Sequence, residues 1–336
     1  MKFKVVNTGS LENPYAAEML AKIGADYAQQ PCWAGEQVVE IARDADGIIT
    51  TPFDAQFTRE VMDGLDRCRV ISNMGVGYDK VDVKAATDRG ICVAYVSDYC
   101  MEEVAEHAMA LILACARQTA AINSIMKEKK LTKLQPPWVE KPIFKLRGQT
   151  LGIVGFGRIG RTLVRKAQGF GLKVIAYDPY IPPTSVMGYD VELVRSLRQL
   201  LKRSDFVSLH VPLTEETTRM FSTKRFKTMK PTAYLINTAR GGVVDQEALQ
   251  EALSGGYITG AALDVMEPDL FLDSPLLKLD NLIYTGHSAF YSETSGPELR
   301  RRVVQEVIRV LQGKWPQNLA NPGVKRKFKA RFKSRQ

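Results

Sequence analysis

Three glycines in the run LGIVGFGRIGR, Gly155, Gly157 and Gly160, stand in the spacing G-x-G-x-x-G. A strand-like run precedes them and a helical stretch follows, the context a dinucleotide site requires. There the first glycine allows a tight turn, the second lets backbone approach a pyrophosphate, and the third lets helix pack close on strand. The helix N-terminus then offers amide donors and the positive end of its dipole to the phosphates. Asp178 closes the next strand-like run, KVIAYD, 18 residues beyond Gly160. An acid near that spacing accepts bonds from ribose hydroxyls and repels a 2′-phosphate, which favours NAD over NADP.

A second set of polar residues falls where strand-like runs end, the ligand-facing edge of an open α/β sheet. Arg240 follows AYLIN in NTARGG, Asp264 and Asp269 follow GAAL, and His287 follows LIYTG. The planar fork of arginine matches a carboxylate with two parallel bonds, and its fixed charge polarises a neighbouring carbonyl. Histidine gives and takes a proton near neutrality. A carboxylate on its far ring nitrogen fixes the tautomer and stabilises the imidazolium. Arginine, acid and histidine beside a nicotinamide make a site that interconverts 2-oxo and 2-hydroxy acids. His210, ending FVSLH, has no acid near it in the run and reads as a cofactor-side contact.

The elements that must deliver these residues show in the rhythm of the chain. FKVVN (3–7), GIIT (47–50), RVIS (69–72) and ICVAY (91–95) alternate with amphipathic stretches, as βαβ units do. A single long helix is predicted from about Met101 to Met126. The lysine-rich segment Lys127–Arg147, with Pro136, Pro137 and Pro142, reads as an irregular arm. The rhythm restarts with TLGIVG (150–155), KVIAY (173–177), FVSLHV (206–211), AYLIN (233–237), GAALDV (260–265) and LIYTG (282–286). A helix from about Pro297 to Leu311 follows. Only this second half carries the glycine fingerprint.

Composition narrows the classes. With 336 residues the chain is long enough for two domains at about 150 residues each. Its 45% hydrophobic and 25% charged content excludes disorder and collagen-like structure. The longest apolar run, Ala108–Ala116, is far short of the roughly 20 residues a membrane span needs. The N-terminus has no signal-peptide core, so a cytoplasmic protein is expected. Five scattered cysteines with no paired spacing predict reduced thiols, with neither a disulfide framework nor a metal site. Most of the net charge of +9 comes from Lys325, Arg326, Lys327, Lys329, Arg331, Lys333 and Arg335. The body is therefore nearly neutral, unlike the folded surface of a nucleic-acid binder. The basic tail, 326–336, is expected to be solvated and mobile. Trp33 and Trp315 are expected to pack in the core.

Over roughly residues 1–320 the chain resembles the NAD-dependent D-isomer-specific 2-hydroxyacid dehydrogenases. The matching pieces begin with GVGYDKVD (75–82), VAEH (104–107), LGIVGFGRIG (151–160) and HVPLTEETTRMF (210–221). They continue with INTARGGVVDQEAL (236–249), GAALDVMEPD (260–269) and TGHSAFYSE (285–293). Within the family, YDPY (177–180) and HSAFYSE (287–293) are most similar to the C-terminal-binding-protein branch, some of whose members are NADH-responsive corepressors. The resemblance implies that Arg240 holds the substrate carboxylate, that His287 is the acid–base group and that Asp269 supports it. The family usually has Glu followed by Pro where this chain has Asp269 and Leu270, so the shorter acid needs backbone adjustment. Glu267 stands two residues earlier, where many members carry an additional acid. His107 matches a position that is usually structural.

The resemblance also assigns the backbone of Val76 and Gly77 to the substrate carboxylate, with Tyr78 and Phe290 bordering the substrate. Cofactor contacts are implied for the glycines, for Arg158 and Ile159 at the helix start, and for Asp178, His210, Val211, Pro212 and Thr217. Thr238, Ala239, Arg240, Asp264 and His287 complete the set beside the nicotinamide. The implied architecture is two Rossmann-like or flavodoxin-like parallel-sheet α/β domains with an active-site cleft between them. The substrate domain takes 1–100 with 289–325, and the NAD domain takes 101–288. The implied partners are a small 2-oxo or 2-hydroxy acid and a second copy of the chain in a homodimer. Phosphoglycerate dehydrogenases tend to carry a phosphate-holding arginine where this chain has Asn73, so an unphosphorylated substrate is expected. The alternative is an NADH-binding scaffold with vestigial activity.

Overall fold

The computed structural model describes residues 2–128, 142–267 and 274–332, so Asp269 and most of the arm lie outside the described residues. The chain divides into two compact units, one running to Tyr99 and again from Ser292, the other Cys100–Tyr291.

The first unit opens with β1 (Lys4–Asn7), α1 (Ala16–Ala21), β2 (Asp26–Gln29), α2 (Gly35–Ala42) and β3 (Gly47–Thr50). It continues through α3 (Arg59–Asp63), β4 (Val70–Asn73), α4 (Val83–Asp88) and β5 (Cys92–Tyr95). The second unit contains α5 (Met101–Arg117), α6 (Thr119–Glu128), β6 (Thr150–Val154), α7 (Arg158–Gly169), β7 (Lys173–Tyr177) and β8 (Val191–Leu193). After these come α8 (Leu197–Arg203), β9 (Phe206–Leu209), α9 (Thr223–Phe226), β10 (Tyr234–Asn237), α10 (Gln246–Ser254), β11 (Gly260–Leu263) and β12 (Leu282–Tyr284). The chain then returns to the first unit with α11 (Ser295–Leu311) and α12 (Lys325–Phe332).

In the first unit five parallel strands run in the order β2-β1-β3-β4-β5. The β3 and β4 strands, GIIT and VISN, are buried along their whole length, as strands covered on both faces must be. Helix α11 covers one face with Leu299, Val303, Val304, Val307, Val310 and Leu311, one apolar stripe at helical spacing. Trp33 is 66% exposed rather than in the core, because it lies in the β2–α2 loop with its backbone N–H held by Gln37.

The basic tail is not wholly solvated. Residues Lys325–Phe332 form α12, whose i,i+4 pair Phe328 and Phe332 gives the helix an apolar side. Phe332 is buried, and Phe328 packs edge-on against the partly buried Trp315. The Arg331 guanidinium donates to the carbonyls of Leu65, Asp66 and Arg89, and Lys327 pairs with Asp88. Charge density suggested mobility, and the aromatic spacing within it supplies the docking face.

In the second unit seven parallel strands run in the order β12-β11-β10-β9-β6-β7-β8. Strand order reverses between β6 and β9, the switch point beside which nucleotides bind in doubly wound sheets. One face packs Ala105, Ala108, Ile112, Leu163 and Val164 against Ile153, Phe206, Ile236 and Ala262. The other packs Leu197, Leu200, Leu201, Leu249 and Ala252 against Val207, Leu235 and Leu263. The long helix expected from Met101 is two helices. Gln118 adopts φ 50°, and the axes of α5 and α6 differ by 61°. All five cysteines are buried, and none is in a disulfide. Among the described residues no single helix is long and apolar enough to cross a membrane.

Candidate active site

Six of the seven strands described in the second sheet deliver their following residues to the same carboxyl edge. In sheet order these are His287 after β12, Asp264 after β11, Thr238–Arg240 after β10, His210 after β9, Gly155–Gly160 after β6 and Asp178 after β7.

The glycine turn is built for close approach. Gly155 holds φ +92°, and a Cβ there would lie 2.7 Å from the His210 carbonyl oxygen. A Cβ on Gly160 would sit 2.5 Å from the Gly155 carbonyl oxygen, so α7 lies too close for any side chain. In front of Gly157, by contrast, there is nothing within 4 Å, which leaves its backbone open to a pyrophosphate. Arg158 and Ile159 form the first turn of α7. Asp178 accepts from the backbone N–H of Phe156 at 2.9 Å and of Tyr180 at 3.0 Å, which ties β7 to the turn. Each carboxylate oxygen has a second lone pair for a ribose hydroxyl.

The next loop carries His210, Val211, Pro212 and Thr217. Burial pushes the His210 imidazole down to about 4, so the ring is neutral at pH 7, with Nε2 bonded to Ser208 Oγ at 2.8 Å. The Thr217 hydroxyl is spent inside the loop, donating to the Pro212 carbonyl at 2.6 Å. At the end of β10, the buried Asn237 shapes the turn that holds Arg240. Its Oδ1 accepts from Ala239 N–H at 3.0 Å and its Nδ2 donates to the Arg240 carbonyl at 2.8 Å. The Arg240 guanidinium donates to the Ala239 carbonyl at 2.7 Å. The Thr238 hydroxyl is buried without a hydrogen-bond partner among the described residues. An orphaned polar atom at this edge fits a cofactor amide that would satisfy it.

Asp264 is 1% exposed, and its carboxylate faces the His287 loop rather than open space. It accepts from Thr285 Oγ1 at 2.6 Å, Ser288 N–H at 2.9 Å and Ala289 N–H at 3.1 Å. His287 itself has φ 60°, in the left-handed region, and its ring meets that of Phe290 edge-on at 6.0 Å. His107 is no inert core residue. Its Nε2 lies 2.9 Å from Thr285 Oγ1 and 3.5 Å from Asp264 Oδ1. Asn237, Thr285 and His107 went unassigned as site residues in the sequence, and only for Asn237, an Asx residue opening a turn, was a local signal present.

Val76, Gly77 and Tyr78 belong to the first unit, in the loop after β4. There Asn73 Nδ2 donates to the Gly77 carbonyl at 2.8 Å, and the Tyr78 ring packs on Tyr95 at 5.0 Å.

Residues 109–289 match the family model described as D-isomer specific 2-hydroxyacid dehydrogenase, NAD binding domain. The chain is 40% identical over 291 residues to the glyoxylate reductase of Korarchaeum cryptofilum, covering 85% of this chain and 86% of that one. It is 38% identical over 286 residues to the D-3-phosphoglycerate dehydrogenase of Methanocaldococcus jannaschii, covering 85% of this chain but only 53% of that longer protein. Among solved structures, the D-lactate dehydrogenase of Aquifex aeolicus complexed with NAD and lactic acid superposes with a TM-score of 0.81 at 31% identity. That match covers 92% of this chain and 96% of that one. With its glycine turn, ordered strand-end residues and these likenesses, the chain belongs to the D-isomer specific 2-hydroxyacid dehydrogenases and carries their NAD-binding domain.

Proposed function

We propose that the protein reduces a small, unphosphorylated 2-oxo acid to its D-2-hydroxy acid with NADH in preference to NADPH. The observation that carries the reading is the sharing of one sheet edge by Arg240, His287 and the glycine turn. NADH, when bound at the glycine turn, would supply a hydride to carbon 2 of the oxo acid. The Arg240 fork holds the carboxylate and polarises the carbonyl. Protonated His287 gives its proton to the carbonyl oxygen as that oxygen becomes an alkoxide. By family resemblance Asp269 supports the imidazolium, and the backbone of Val76 and Gly77 receives the carboxylate. Asp178 meets ribose hydroxyls as an acceptor and disfavours a 2′-phosphate by charge. Asn73 offers no cation for a phosphorylated substrate. By the same resemblance we further propose a homodimer through the helices that start at Met101 and the arm 127–142, with light scattering measuring the dimer mass.

The test is NADH and NADPH oxidation against a panel of 2-oxo acids, with chiral analysis of the product. Turnover of glyoxylate and small apolar oxo acids, with NADH favoured and the D-product formed from every oxo acid whose product has a stereocentre at carbon 2, is the expected result. NADH binding without turnover across the panel would favour the scaffold alternative instead.

A further inference from the structure

The loop that presents His287 is held from beneath by a chain of bonds that starts on a different element, helix α5. Thr285 donates its hydroxyl proton to Asp264 Oδ1 at 2.6 Å. The 2.9 Å bond between Thr285 Oγ1 and His107 Nε2 therefore runs the other way, from a ring N–H to the hydroxyl oxygen. His107 is thereby fixed with its proton on Nε2, the nitrogen that also lies 3.5 Å from Asp264. Asp264 then brackets the histidine. Its carboxylate takes the N–H groups of Ser288 and Ala289, and its backbone carbonyl takes that of His287 at 2.6 Å.

What this bracket holds is strained. Gly286 and His287 stand at φ 63° and 60°, successive left-handed residues, and that region costs a side chain with a Cβ roughly 1–2 kcal/mol. Such a conformation persists where surrounding bonds over-determine it. A carboxylate as buried as that of Asp264 requires its full set of donors in turn. Resting on the functional reading above, we propose that Thr285 and His107 are positioning residues, which act through Asp264 to hold His287 in the conformation that delivers its proton.

The chain has only three histidines, so ring-nitrogen NMR resolves each of them by single substitution. In the unmodified protein the His107 ring should be the Nε2–H tautomer. Thr285→Val keeps the shape and removes the hydroxyl. It should move the ring signals of His107 and His287 while leaving those of His210 in place. It should also lower kcat for oxo-acid reduction by about tenfold while KM for NADH changes by less than about twofold. Thr285→Ser keeps the hydroxyl and should return the His287 signals and most of kcat. Unmoved His287 signals in Thr285→Val overturn the proposal, whatever the rate does. Should Thr285→Val fail to fold, His107→Gln retains an N–H near the same point and His107→Leu does not, so only the leucine variant should move His287. If the unmodified protein turns over no oxo acid, the functional reading fails, and the NMR comparison still decides the positioning claim.

Discussion

A methyl group added at Gly157 would meet nothing within 4 Å, whereas one at Gly160 would lie 2.5 Å from the Gly155 carbonyl oxygen. The two positions therefore separate cofactor seating from packing. Gly157→Ala should fold with a Tm near that of the parent and lose NADH affinity, because the methyl occupies the approach to the pyrophosphate. Gly160→Ala should lose about 1–3 kcal/mol of stability as α7 is pushed off β6, as read by urea unfolding. His210 offers a second check. Its folded-state value of about 4 lies below the ordinary 6.5, so its contribution to stability is present above pH 6.5 and is lost as pH falls toward 4. Lowering the pH from 7 to 5 should cost about 2 kcal/mol through this group, and His210→Gln should remove that part of the slope. At this scale the placement of the glycines, Asp178, Arg240 and His287 at strand ends was legible, because residue type and spacing along the chain mark those turns. The direction of the Asp264 carboxylate was not. Its partners Thr285, Ser288, Ala289 and His107 come from the far side of a sheet edge, and no local pattern announces them.

Elements were legible where burial imposed a period. Burial made β9 and β10, FVSL and YLIN, conspicuous as mostly apolar runs. The edge strands β2 and β8, DYAQ and VEL, contain no fully buried residue and left no such signature. The break between α5 and α6 sits at Gln118, a residue type with no reputation as a breaker, within an apolar period that runs on past it. Helix α12 was hidden by its own charge. Its docking makes a definite prediction: cutting the chain before Lys325 removes buried Phe332 and the three carbonyl contacts of Arg331. A lost large apolar side chain is worth about 1.5–3 kcal/mol, which for a unit of this size lowers Tm by several degrees. Calorimetry on the shortened chain measures it, and an unchanged Tm would return the segment to a solvated tail.

At the scale of the whole molecule, the two units carry parallel sheets of different order. The first has the flavodoxin-like order, and the second has the order in which a dinucleotide lies across the switch point. The restart of the strand–helix rhythm after the arm made this duplication readable, because each parallel strand needs a crossover helix. The proposed function stands or falls on whether His287, at the carboxyl edge of the second sheet, works as the acid of a reductase site. Comparing the unmodified protein with His287→Gln, for NADH affinity by fluorescence and for NADH oxidation with the oxo acid that the parent turns over fastest, decides it. A loss of turnover of at least about a hundredfold is expected, the scale of positioned acid–base catalysis, with NADH affinity falling by no more than the roughly tenfold that one lost contact gives. Turnover near that of the parent in His287→Gln would contradict it.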